Sequence, residues 1–211
     1  MPLQTGAELR LTNGRRDRVL VCLNGGQSGE VAGTWSATLE WLVKRLAPEF
    51  PQLGFGEVRY RIKSWRQFGH CVEDARAAIG LFSESRTVLL GFSMGGAVAI
   101  AAADEPRVEQ IVGLAPWIPD RLGLESLRGR RLDVLQGSFD RCLPGIPGVS
   151  PSSSRRGFER ARALGFEGSY TLIRGGLHGV ALRVAGGKLV PLPRAGLWLR
   201  LAASRIEAFA A

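Results

Sequence analysis

Short apolar runs alternate with helical patterns along most of this chain, and that alternation restricts its fold more than any other feature. Val19 to Leu23, Thr87 to Leu90 and Ile111 to Leu114 are rich in β-branched residues or leucine and are bounded by turn residues. Glu57 to Tyr60, Leu132 to Leu135 and Ser169 to Ile173 are further strand candidates. Between them Leu39, Leu42, Val43 and Leu46 fall on one helix face, and Val72, Ala75, Ile79 and Phe82 form another. Helices are also expected over Met94 to Ala103, Ser153 to Leu164 and Leu197 to Phe209. Such alternation predicts an α/β fold with a mostly parallel central sheet and helices on both faces. Leu9 to Leu11 adds an antiparallel edge strand through the Thr12 to Asp17 turn. With 211 residues and neither repeats nor a linker, the chain is expected to form a single domain over residues 1 to 211. The Pro/Gly/Ser-rich stretch Leu143 to Ser154 reads as a surface loop.

In parallel sheets of this kind ligands sit beyond the carboxyl ends of the strands, so chemistry is sought there. Gly91-Phe92-Ser93-Met94-Gly95 is a G-x-S-x-G motif between a strand pattern and a helical one. Ser93 therefore falls on a sharp turn, where larger residues two positions to either side would collide. A serine hydroxyl is a poor nucleophile at neutral pH and needs a base within hydrogen-bond reach. The chain has two histidines. His70 opens the helical stretch Phe68 to Phe82, where a surface or helix-end role is the default, whereas His178 lies in a glycine-rich loop beyond a strand end. His178 is the expected base. Asp140, just beyond the strand Leu132 to Leu135, is the carboxylate expected to orient it. Asp120 is its rival, while Asp133 inside a strand and Asp104 at a helix end do not suit. The oxyanion of a tetrahedral intermediate needs two backbone donors. Met94, at the helix start, supplies one, and Gly26 in Leu23-Asn24-Gly25-Gly26-Gln27 supplies the other, with Gln27 next in line.

These features together resemble an α/β-hydrolase fold serine hydrolase over essentially the whole chain. The order Ser93, Asp140, His178 is the family's order of nucleophile, acid and base, and Gly137 to Pro144 is similar to its G-x-x-D-x-x-x-P acid loop. Asn24 departs from the pattern, since many relatives carry histidine before the glycine of the oxyanion loop. The resemblance implies a hydrolase cleaving a carboxylic ester through an acyl-enzyme, with no cofactor and no metal. A thioesterase, lactonase or amidase would use the same residues, and a catalytically silent ligand-binding module is the alternative of another class. Many relatives insert a helical lid where this chain has only Ala115 to Arg131, so no large cap is expected. Gln27 and Trp117 are candidate substrate-binding residues, and Trp65 and Trp117 are equally compatible with core packing.

Charge and cysteine usage narrow the partners. The formal net charge is +9, yet the basic residues are scattered and no nucleic-acid motif accompanies them. A solvated basic surface, or steering of an anionic substrate such as a coenzyme A thioester, fits better than nucleic-acid binding. The expected partner is a small-molecule ester or related acyl substrate, with no nucleic acid and no membrane. The chain opens without a secretory signal pattern, and its longest uncharged stretch, Thr87 to Ala103, is glycine-interrupted and shorter than the roughly 18 to 20 residues of a membrane span. Three cysteines, Cys22, Cys71 and Cys142, make no disulfide framework and point to a reducing, cytoplasmic setting. There is no H-E-x-x-H, no C-x-x-C, no phosphate-binding loop motif and no complete dinucleotide-binding glycine pattern.

Overall fold

The computed structural model describes residues 1–140 and 148–211. The expected strands and helices form, most of them one to three residues longer than their expected runs, while the helix expected over Met94 to Ala103 ends at Ala101. The strands of the main sheet are β1 (Glu8–Thr12), β2 (Arg18–Leu23), β3 (Gly54–Arg59), β4 (Arg86–Phe92), β5 (Val108–Leu114), β6 (Arg131–Gly137) and β7 (Glu167–Ile173). Their spatial order is β1-β3-β2-β4-β5-β6-β7, and every pairing is parallel except that of β1 with β3.

Five helices cover the sheet: α1 (Ala37–Glu49), α2 (Phe68–Gly80), α3 (Met94–Ala101), α4 (Pro151–Ala163) and α5 (Ala195–Ala210). Alternate side chains of each strand point to opposite faces. Val19, Val21 and Leu23 of β2 thus pack with residues of α2, α3 and α4, whereas Leu20 and Cys22 pack with residues of α1 and α5. Both faces are covered over the central strands, whereas the edge strands β1 and β7 are mostly half-buried. Each fully buried leucine, valine or phenylalanine there contributes roughly 1.5–3 kcal/mol. Side-chain caps mark two helix starts. Ser36 accepts from Leu39 N–H ahead of α1, and Ser150 accepts from Ser153 N–H ahead of α4, which has Pro151 at its first position.

The antiparallel edge strand expected at Leu9 to Leu11 forms as β1, and it pairs with β3 rather than with β2, its neighbour in the chain. The link carries Asn13 and Gly14 in left-handed backbone conformations, with φ of 61° and 70°. The Asn13 amide donates to Ala47 O and Leu53 O, which fastens this turn across the connection into β3. A small antiparallel hairpin, β8 (Ala181–Arg183) and β9 (Leu189–Pro191), follows the His178 loop and was not expected. Its strands are too short to show a period.

The segment between β5 and β6 holds one short 3₁₀ turn, Glu125–Leu127, and no cap domain. Cys142 and the Leu143 to Pro147 part of the expected loop, including Pro144 of the acid-loop pattern, lie outside the described residues. No helix among the described residues is long and apolar enough to cross a membrane.

Candidate active site

β4 delivers Ser93 to the carboxyl edge of the sheet, and the turn into α3 demands its flanking glycines. A Cβ on Gly91 would lie 2.4 Å from Gly95 O, one on Gly95 2.0 Å from Leu23 O, and one on Gly96 2.4 Å from the Pro116 side chain. Such distances are incompatible with any side chain, so β4, α3 and the end of β2 approach closely only because these positions are glycine. Ser93 itself has φ 55° and ψ −119°, a conformation that costs an L-residue of order 1–3 kcal/mol. Its backbone is held at both ends: the N–H donates to Leu114 O at 3.0 Å, and the carbonyl accepts from Gly96 N–H and Trp117 N–H. Although Ser93 stands in the N-cap position of α3, its hydroxyl makes no capping bond.

That hydroxyl lies 3.1 Å from Nε2 of His178, whose Nδ1 lies 2.8 Å from Oδ2 of Asp140. All three side chains are buried, which protects the hydrogen bonds from competition with water. The acid and histidine loops are stitched to one another. Phe139 N–H donates to Gly176 O, Ser138 N–H to Ile173 O, and Gly175 N–H to the Ser138 hydroxyl. A Cβ on Gly137 would strike Gly176 O at 2.4 Å, so the two loops touch backbone to backbone. On its other side the His178 loop is tied to α1, where the Thr38 hydroxyl accepts from Val180 N–H at 3.0 Å. The Phe92 ring packs against the imidazole with centroids 5.0 Å apart.

Two further groups hold the Asp140 carboxylate. Val149 N–H donates to Oδ1 at 2.9 Å and the Gln136 amide to Oδ2 at 2.8 Å, both buried. Gln136 was not singled out from the sequence, where a glutamine near the end of an apolar strand carries no signal of its own. Asp120, the rival carboxylate, is exposed and faces Arg156 and Arg160. Asp133 is engaged by Arg131, Gln110 and Ser169. His70 lies in the first turn of α2, and its side chain has no part in the Ser93 cluster.

The loop after β2 passes directly over Ser93 and Met94. A Cβ on Gly26 would lie 2.3 Å from Met94 Sδ and 2.8 Å from Trp65, and one on Gly25 would lie 3.2 Å from the Ser93 Cβ. Among the described residues neither the Gly26 nor the Met94 N–H has a hydrogen-bond partner, whereas Gly25 N–H is taken by the Asn24 side chain at 2.7 Å. Asn24 also donates to Thr34 O at 2.7 Å, so it pins both sides of this loop. The uncapped start of α3 adds its positive dipole end at the same place.

A cavity of about 460 Å³ opens beside Ser93 and His178, walled in part by Gly26, Gln27, Trp35 and Leu182. Gln27 therefore lines it. Trp117 does not, contrary to its assignment as a substrate-binding residue. Its ring packs 6.5 Å from those of Trp65 and Phe68 and borders a separate apolar cavity of about 290 Å³. The Trp117 backbone is anchored beside Ser93, but these aromatic neighbours hold its side chain elsewhere. Trp35 is the tryptophan on the site, and it precedes α1 outside any strand end where sequence patterns direct attention.

No protein-family model matches the chain, and no curated protein matches it in sequence. Solved structures do match in shape. A sugar hydrolase from Lactococcus lactis superposes with a TM-score of 0.72 at 15% identity, over 99% of this chain and 96% of that one. An esterase from Pyrobaculum calidifontis gives 0.69 at 16% identity, over 99% and 83%. An alpha/beta hydrolase enzyme from a Medee basin deep-sea metagenome library gives 0.67 at 16%, over 94% and 86%. Together with the sheet order and the single antiparallel edge strand, these likenesses define the α/β-hydrolase fold for this chain.

Proposed function

We propose that this protein is a serine hydrolase that cleaves a carboxylic ester through an acyl-enzyme. The observation that carries this reading is the continuous hydrogen-bonded chain from Asp140 through His178 to Ser93, ending at a cavity beneath two unpartnered N–H groups. His178 Nε2 takes the proton of the Ser93 hydroxyl as Oγ bonds to the substrate carbonyl carbon. Asp140, facing Nδ1, holds the ring and stabilises the imidazolium that forms. Negative charge developing on the carbonyl oxygen is received by the N–H groups of Gly26 and Met94. When the tetrahedral intermediate collapses, the bond from carbon to the alcohol oxygen breaks, and His178 returns the proton to the departing alcohol. Water, deprotonated by the same nitrogen, then attacks the acyl-enzyme; the bond from carbon to Ser93 Oγ breaks, His178 returns the proton to that oxygen, and the acid is released.

Hydrolysis of a p-nitrophenyl ester series from short to long acyl chains, by this protein and by Ser93→Ala, tests the reading. Turnover lost by several orders of magnitude in Ser93→Ala is the expected result. Turnover reduced less than tenfold in the variant rules the assignment out. Absence of turnover across the series with Ser93 still labelled by a fluorophosphonate redirects the assignment to thioesters, lactones or amides, and absence of labelling redirects it to a silent binding module.

A further inference from the structure

The cavity beside Ser93 has a charge pattern that the hydrolytic steps leave unused. Lys63 and Arg183 line it, and among the described residues no acidic side chain does. Arg183 is already paired, donating to Glu40 at 2.8 Å and to Gly187 O at 3.2 Å. Lys63 is different. Its Nζ donates to the Thr34 hydroxyl at 2.9 Å and has no carboxylate partner among the described residues. Partial burial pushes its ammonium below the usual lysine range, with no anion beside it to offset the lost hydration. The position is also built. Lys63 N–H donates to Val31 O at 2.9 Å and Trp65 N–H to Gln27 O at 3.0 Å, which fastens the lysine's segment to the loop that carries Gly26.

We propose, resting on the hydrolase reading above, that the substrate carries a negatively charged group, carboxylate or phosphate, which pairs with Lys63 while the scissile carbonyl sits at Ser93. The Thr34 hydroxyl accepts from Lys63 and keeps its own hydrogen for a second oxygen of the ligand's anion. Trp35, Phe92 and Leu182 give the intervening part of the substrate an apolar wall. A neutral substrate would leave the ammonium half-desolvated and unpaired, so selectivity comes from that penalty as well as from the attraction.

The test compares the p-nitrophenyl hemiester of glutarate with the same ester methylated at its free carboxylate. The expected result is a kcat/KM ratio of about tenfold in favour of the anionic ester, or roughly 1.4 kcal/mol, falling to near one in Lys63→Met and recovering in Lys63→Arg. Turnover of both esters at equal efficiency overturns the anion site and leaves the hydrolase reading standing. Binding to Ser93→Ala separates the two claims in the other direction. Monomethyl glutarate should bind Ser93→Ala at least fivefold more tightly than dimethyl glutarate, and the preference should vanish when Lys63→Met is added. Equal binding of the two probes overturns the proposal whether or not either ester turns over. Inorganic phosphate competing better than acetate assigns the group to a phosphoryl ligand, and the reverse assigns it to a carboxylate, both within the same site.

Discussion

The Gln136 amide donates to Oδ2 of Asp140, the same carboxylate oxygen that faces Nδ1 of His178. On the proposed mechanism Gln136 is a positioning residue: it does not line the cavity beside Ser93, and its amide, bonded to Asp140 and to Val149 O, fixes the plane of the carboxylate. Gln136→Leu removes a buried bond to a charged group, worth about 1.5–3 kcal/mol. The expected outcome is a kcat about 10- to 100-fold lower with KM little changed. Steady-state kinetics on a soluble ester checks it, and a kcat within twofold of the parent would refute it.

Ser93 trades stability for its place on the turn. Its φ of 55° is strained for serine and for alanine but open to glycine. Ser93→Gly is therefore expected to unfold at a higher temperature than Ser93→Ala, by an amount equivalent to about 1 kcal/mol. Calorimetry of the two inactive variants side by side measures the difference. Equal or reversed melting temperatures would mean that the turn is not strained.

At Gly95 the constraint is steric instead. A Cβ there lies 2.0 Å from Leu23 O, which can retreat only if β2 and α3 separate. Gly95→Ala should lose about 2 kcal/mol or more of stability, visible as a lower midpoint in urea. Gly69→Ala, whose added Cβ meets nothing within 4 Å, is the control and should unfold close to the parent.

Acid tolerance should depend on Glu40. Burial alone would raise the pKa of its carboxyl, but hydrogen bonds from Lys44, Arg183 and Arg10 outweigh burial and hold it at about 2, down from 4.5. A depressed folded-state pKa means that the unfolded chain takes up the proton first as pH falls. The stabilisation is thus complete above about pH 5 and is lost as pH falls from there through about 2. Glu40→Gln should be less stable than the parent at pH 7, with the gap closing across that acid range. Denaturation midpoints measured at several pH values test this, and a pH-independent gap would contradict it.

Local signals in the sequence carried the layered fold and the place of Ser93, Asp140 and His178 each just beyond a strand's carboxyl end, because each of those signals depends on neighbours within a few residues. Apolar runs mark strands, and G-x-S-x-G marks a turn whose glycines are required sterically. What the sequence concealed depends on partners far along the chain. β1 pairs with β3, with Asn13 fastening the turn to the segment that leads into β3, and Trp117 packs against Trp65 and Phe68 away from the cavity. Gln136 and Asn24 are legible only once the groups that they bind are in place. Asn24 departs from the family's pattern, and the structure gives that residue a definite task in pinning the loop that carries Gly26.

The bond between Thr38 and Val180 joins positions 142 residues apart, and His178 reaches back 85 residues to Ser93. During synthesis Ser93 emerges long before its imidazole. Helix α1 must then wait for the last third of the chain before the His178 loop can lock against it. On the proposed mechanism, reactivity at Ser93 is therefore a report on completed folding, and a ribosome-bound fragment ending before the β7 strand would carry an inert serine.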